Sequence, residues 1–350
     1  MNKKTTPNQK TSNYETMLAQ ILSKKNKGKN DDINNQDLSD NTLLHLAVAN
    51  RQFKIVKRLL NTRSIRPNTQ NKYGNTPLHL AIAKSNGHFG YLNVIERLLN
   101  VKNMLVNIQN NNGDAPLHLA VAKSNGYLKI VEKLLKVKSI RINIQNNNGD
   151  TPLHLAVASG HLNVVKKLLN VKDIQVNIKN KQGNTPIHLA VDGKHQDILE
   201  TFLKHKKTGL DIDINQPGKN NNTPLHLALL NQNVHIFNML LKEKDIRVNL
   251  KNSAGKAVLH LAVDMNDASY IVESLLKKED INVNIEDLDG NTPLHLAARL
   301  YGNTPLHLPG CLGATPIVEA LLKECRTNLN AQNKNGHTAL YLINHEVHLI

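Results

Sequence analysis

The chain of 350 residues contains no Trp, four Phe and seven Tyr, so aromatic residues make up 3% of it. A sandwich or barrel that leans on aromatic packing is excluded on that ground, and the core must come from Leu, Ile, Val and Ala. Only two cysteines, Cys311 and Cys325, are present, too few for a disulfide framework or a four-Cys zinc site. No apolar run nears the ~20 residues that cross a bilayer. Residues 1–20 are polar and carry no secretion-signal stretch. The expectation is a soluble protein of the cytoplasm. Acidic residues are scarce relative to basic ones: 44 Lys and Arg less 28 Asp and Glu leave +16.

What is abundant is one phrase. It reads Thr42-Leu43-Leu44-His45-Leu46-Ala47, then Thr76-Pro77-Leu78-His79-Leu80-Ala81, and recurs from Ala115, Thr151, Thr185, Thr223, Ala257 and Thr292. Successive starts lie 34, 39, 36, 34, 38, 34 and 35 residues apart. A fixed period of this length marks a repeat architecture. Further copies start at Thr304 and, worn down, at Thr338.

The copy at Thr151 shows what each unit does. Gly149 supplies a positive φ for a turn. Thr151 caps a helix, Pro152 fits its first position, and Leu153, Leu155 and Ala156 form the buried stripe. Gly160 ends that helix. Val164, Val165, Leu168 and Leu169 repeat at helical spacing and predict a second one. Helices this short do not hold alone in water, so each must lean on the next repeat. Asp173-Ile174-Gln175-Val176-Asn177-Ile178 then alternates in a strand-like way, and Asn180 to Gly183 turns back toward the next Thr-Pro. Asn170 stands where a Gly would often end the second helix, and Asn tolerates the left-handed conformation, which leaves a cap there open.

These residues resemble the ankyrin-repeat family, through Gly-x-Thr-Pro-Leu-His-Leu-Ala, the Val-Val-x-x-Leu-Leu helix and the Val-Asn before the turn. The resemblance covers residues 36–350. It implies an all-α repeat solenoid of about 8–9 repeats, each a helix-turn-helix with a β-turn or hairpin finger. It further implies fingers and first helices on a concave side, with second helices on the convex side.

The ends and insertions depart from the pattern. Residues 1–13 read as a disordered basic tail. Residues 14–35 read as a capping half repeat with a lone helix at 14–23 and Ile33-Asn34 as its exit. Residues 36–350 form the array, with extended helix-to-helix turns at 84–91 and 123–127. The copies at Thr292 and Thr304 are too close to be two repeats. Ala297 and Ala298 suit a helix, whereas Pro309 and Gly310 break one. The first copy should therefore be helical, with an irregular insertion at 302–315 before a helix at 316–323. The last repeat, 336–350, is incomplete.

Seventeen His residues invite a metal reading. Nine lie in the phrase, namely His45, His79, His118, His154, His188, His226, His260, His295 and His307. They recur at the repeat period, whereas a zinc site needs its ligands on one centre. They are expected to bond the Thr and the finger backbone. His161, His195, His235 and His345 are expected at the surface. No phosphate loop, Gly-x-Ser-x-Gly elbow or His-Glu-x-x-His appears, so neither catalysis, a cofactor nor a small-molecule substrate is expected.

The function expected is a non-catalytic, monomeric scaffold for a protein partner. The family's usual face puts the finger tips Tyr73, Asn111, Asn112, Asn147, Asn148, Lys181, Gln182, Ser253 and Asp289 against that partner. An alternative uses the basic tail and the Lys rows of the second helices to hold nucleic acid or an anionic membrane. The absence of an aromatic platform weakens the nucleic-acid version. Richness in Asn, Lys and Ile suggests an AT-rich genome and, with the repeats, a host-directed effector of an intracellular bacterium acting in host cytoplasm.

Overall fold

The computed structural model describes residues 33–85, 89–123, 127–265, 269–301 and 314–345. The basic tail, the helix expected at 14–23, most of the 302–315 insertion and parts of the two extended turns lie outside the described residues.

The chain divides into two units, 1–181 and 182–350. In the first, helices pair as α1 (Leu43–Ala49) with α2 (Phe53–Leu60), α3 (Pro77–Lys84) with α4 (Phe89–Leu99), α5 (Pro116–Val121) with α6 (Leu128–Leu135), and α7 (Pro152–Ala158) with α8 (Leu162–Leu169). First helices stack on first helices and second on second. The second unit repeats the plan. Its first helices are α9 (Pro186–Asp192), α11 (Pro224–Leu230), α13 (Val258–Val263), α15 (Pro293–Tyr301) and α17 (Ala339–His345). Its second helices are α10 (Gln196–Lys207), α12 (Val234–Leu241), α14 (Ser269–Leu276) and α16 (Ala314–Lys323). The Thr292 copy is helical, as its Ala pair suits, and the Thr304 copy lies outside the described residues.

Packing follows from the phrase. The first Leu or Ile and the Ala of the phrase are buried in the copies from Thr42 to Thr292, for example Leu78, Ala81, Leu117, Ala120, Leu225 and Ala228. The second Leu is only half-buried in six of them, Leu155 included, so the stripe expected at Thr151 is corrected to Leu153, Ala156 and Val157. Ala lets the neighbouring first helix approach closely, and dense apolar contact replaces the length these helices lack. The second helices bury their Val or Ile and Leu positions, such as Val164, Val165 and Leu168.

One further local expectation is corrected. The strand-like segments make no ladder: among the described residues only two isolated bridges occur, Gln36 with Thr42 and Gln332 with Thr338. Ile174 and Val176 are buried while Gln175 is exposed, so the alternation marks a turn that alternates between core and water. At Asn170, where a left-handed cap was open, φ is −86°, and the side-chain amide donates to the Lys166 carbonyl at 2.8 Å. The left-handed residue comes later, at Asp173 with φ 66° and at Asn103 with φ 65°. Gly160, which ends α7, has a positive φ of 68°, and Arg51, Lys194 and Gln232 adopt 60°, 56° and 51° at the same place in their repeats. A side chain there carries a steric cost that Gly avoids.

Candidate interaction surface

The repeated Thr and His form the joint that fixes each finger. Thr42 Oγ1 lies 2.8 Å from His45 Nδ1, and the Thr42 N–H donates to the same nitrogen at 3.1 Å. Two donors on Nδ1 leave the ring proton on Nε2. Nε2 then donates to the carbonyl of Asn75 in the next finger at 2.9 Å. The same bond runs from His79 to Asp114 at 3.0 Å, from His226 to Lys256 at 3.1 Å and from His295 to His337 at 3.0 Å. Ala115 and Ala257 keep only the backbone part of this joint. Burial pushes the pKa values of His45, His118 and His260 down, and those of His79 and His226 down to about 4, against the opposing pull of the carbonyls they bond. These rings are neutral, spent on hydrogen bonds and strung out one per repeat. Among the described residues no three His, Cys, Asp or Glu side chains converge on one point. His307 lies outside the described residues. His161 and His195 depart from their expected surface positions: both are half-buried, and His161 bonds the Val121 carbonyl of the preceding repeat at 2.9 Å.

Asn does a second part of the joining. Asn107 Nδ2 donates to the Ser139 carbonyl at 2.7 Å, and its Oδ1 accepts from the Arg141 N–H at 2.9 Å. Asn34, Asn68, Asn143, Asn215, Asn249 and Asn284 make the same two-way clamp onto the following repeat. In the first unit a row of Gln side chains does likewise: Gln70, Gln109 and Gln145 each donate to their own finger and to the next. Much of the Asn content that suggested a genome bias thus has a structural use.

The finger tips themselves are tied by main-chain bonds. Asn111 N–H donates to the Tyr73 carbonyl at 3.1 Å, Asn147 to Asn112 at 3.0 Å and Lys181 to Asn148 at 2.9 Å. In the second unit Ser253 donates to Asn220 at 2.8 Å and Lys334 to Asp289 at 3.0 Å. The tips are in close approach: a Cβ on Gly113, whose φ is 75°, would stand 2.5 Å from the Asn147 nitrogen. All nine expected tip residues are exposed. They do not have equal duties. Asn111 and Asn147 spend their side-chain amides on the Lys72 and Asn111 carbonyls, whereas Tyr73 is 58% exposed with the Lys72 ammonium 5.2 Å from its ring centre.

Reading by residue type missed two tips. Leu38 and Leu288 occupy the same finger register as Lys72 and are 105% and 60% exposed. Their signal was positional, an apolar residue one place after the Asp or Asn that opens the finger. In the second unit, a cavity of about 400 Å³ is lined by Leu229, Leu230, Leu261 and Met265, with Gln232 and the Lys256–Asp264 ion pair also lining it.

Such a stack, pinned by Thr-His joints and crowned with tied turns, defines a class of repeat protein whose exposed product is a rigid row of loops. The family model for ankyrin repeats (3 copies) matches residues 10–103, 87–180, 121–216, 171–252 and 259–345, and the chain belongs to the ankyrin-repeat family. Among solved structures it is similar to the ankyrin repeat domain of Bcl-3, described as a unique member of the IkappaB protein family. The two share 26% identity with a TM-score of 0.55 over 66% of this chain and 95% of that one. No curated protein sequence matches the chain.

Proposed function

We propose that the protein is a non-catalytic scaffold that captures a protein partner through its finger tips and adjoining first-helix faces. The observation that carries this reading is the set of tip-to-tip main-chain bonds. They hold exposed side chains in fixed positions, so little entropy is lost when a partner docks. Ankyrin-repeat proteins generally mediate protein–protein interaction, which supports the reading. Tyr73, Asn112, Asn148, Lys181, Ser253 and Asp289 provide the polar and aromatic contacts, Leu38 and Leu288 the apolar ones. Asn111 and Asn147 add to the tips of the first unit, and Gln182 to those of the second. The cavity beside Leu230 takes one apolar partner side chain.

The finer reading, action as an effector in host cytoplasm, rests on composition and the repeat family together. Affinity capture from host lysate with mass spectrometry identifies the partner. Replacing Tyr73, Asn112, Lys181 and Asp289 by Ala together is expected to abolish its capture with the helix content unchanged. Undiminished capture by that variant rejects the tips as the site.

A further inference from the structure

The basic excess is not spread over the protein. Residues 1–181 hold 28 Lys and Arg against 10 Asp and Glu, 28 less 10 being +18. Residues 182–350 hold 16 against 18, a net of −2. Register explains where the charge goes. In the first unit, the position just before the final Leu pair of every second helix is basic: Arg58, Arg97, Lys133 and Lys167. The equivalent positions of the second unit are Thr201, Met239, Ser274 and Ala320, all uncharged. Three residues beyond that Leu pair a second row follows, Arg63, Lys102, Lys138 and Lys172, every one exposed.

The rows are in register across repeats. Lys133 reaches back to Glu96 at 3.0 Å and Lys167 to Glu132 at 2.8 Å. Each of these pairs joins neighbouring second helices, and those helices stack. Helix support alone does not account for the pattern. A cation at a helix C-terminus contributes only ~0.3–1 kcal/mol, and the second unit builds the same helices without a cation before the Leu pair.

We propose that the second-helix face of the first unit is a docking surface for an acidic polypeptide segment, separate from the finger tips. Charge complementarity selects the partner's sign, and three features select its class. The Glu96 and Glu132 carboxylates interrupt the cation rows, which opposes duplex DNA with a phosphate every ~1.7 Å. Phe53 is half-buried, and Tyr91 and Tyr127 are buried, so none of these three rings is placed to stack a base. Leu59, Leu98, Leu134 and Leu168 are buried and Leu60, Leu99 and Leu135 half-buried, so among the described residues of these helices no exposed apolar side chain offers a wedge to a lipid surface. A polypeptide can space its carboxylates to suit the gaps.

The test is fluorescence anisotropy with the full chain and a labelled Glu-Gly peptide of about 20 residues at ~0.15 M salt. One variant carries Arg58→Ala, Arg97→Ala, Lys102→Ala and Lys138→Ala. A control carries Lys242→Ala, Lys244→Ala, Lys277→Ala and Lys278→Ala in the second unit. Circular dichroism verifies that both fold. The first variant is expected to weaken binding at least about tenfold and the control by less than about twofold. Equal loss in both variants, no binding of the peptide by the parent chain, or tighter binding of duplex DNA or phosphatidylserine vesicles than of the peptide would overturn the proposal. The finger-tip variant leaves this peptide binding intact, so failure here and failure of the tip reading are separate results.

Discussion

Lowering the pH from 7 to 5 is expected to weaken both units through their buried imidazoles. In the folded chain His79 and His226 take up a proton only at about 4, because the ring is buried and its Nδ1 already faces the donors of Thr76 or Thr223. In the unfolded chain they titrate at ~6.5. Between these values the unfolded state binds more protons. The stabilisation is therefore complete above ~6.5 and is lost as the pH falls toward about 4, below which both states are charged. A gap of ~2.5 pKa units corresponds to ~3 kcal/mol per ring at full titration, of which ~2 kcal/mol is gone by pH 5. His45, His118 and His260 shift in the same direction and add to the loss. Urea unfolding followed by far-ultraviolet circular dichroism at pH 7 and pH 5 measures it. About 0.5 M NaCl screens the repulsion among surface cations but not the burial of a ring. Equal denaturation midpoints at the two pH values, or ring proton resonances that titrate near 6.5, would refute the reasoning.

Other perturbations test other joints. Ala115→Thr and Ala257→Thr restore the hydroxyl that the other Thr-His joints possess, and each should raise stability by ~1 kcal/mol, read as a higher Tm. Arg51→Gly, Lys194→Gly and Gln232→Gly relieve a left-handed residue, with ~1 kcal/mol gained at each; a loss there would show the side chain matters more than its φ. Asn107→Ala removes the clamp on Ser139 and Arg141 and should cost ~1–2 kcal/mol, with faster amide exchange at Arg141. Gly113→Ala meets the Asn147 backbone and should lower the Tm more than Asn107→Ala does.

The parts of this fold that were legible in the sequence are local and repeated. Thr-Pro at a helix start, Leu153 and Ala156 on one stripe, and Gly149 at positive φ all follow from a residue and its near neighbours. What escaped depends on residues one repeat apart. The Asn107 clamp joins positions more than thirty residues apart, and nothing adjacent to Asn107 announces it. Residue type left the end of α8 open at Asn170, whose side chain bonds back to Lys166 and satisfies the helix end without a left-handed turn. The charge partition was concealed by counting over the whole chain, and it becomes visible once Arg58, Arg97, Lys133 and Lys167 are set in one register. The tips Tyr73 and Asp289 were readable as turn residues; Leu38 and Leu288 needed the register as well.

The central claim is that a partner meets the exposed turns. Hydroxyl-radical footprinting of the chain with and without its captured partner tests it most directly, because reactive side chains stand on both kinds of surface. Protection of Leu38, Tyr73 and Leu288, with Tyr270 of α14 and Leu322 of α16 unchanged, is the predicted result. Protection of Tyr270 and Leu322 with those three turn residues still fully reactive would contradict it.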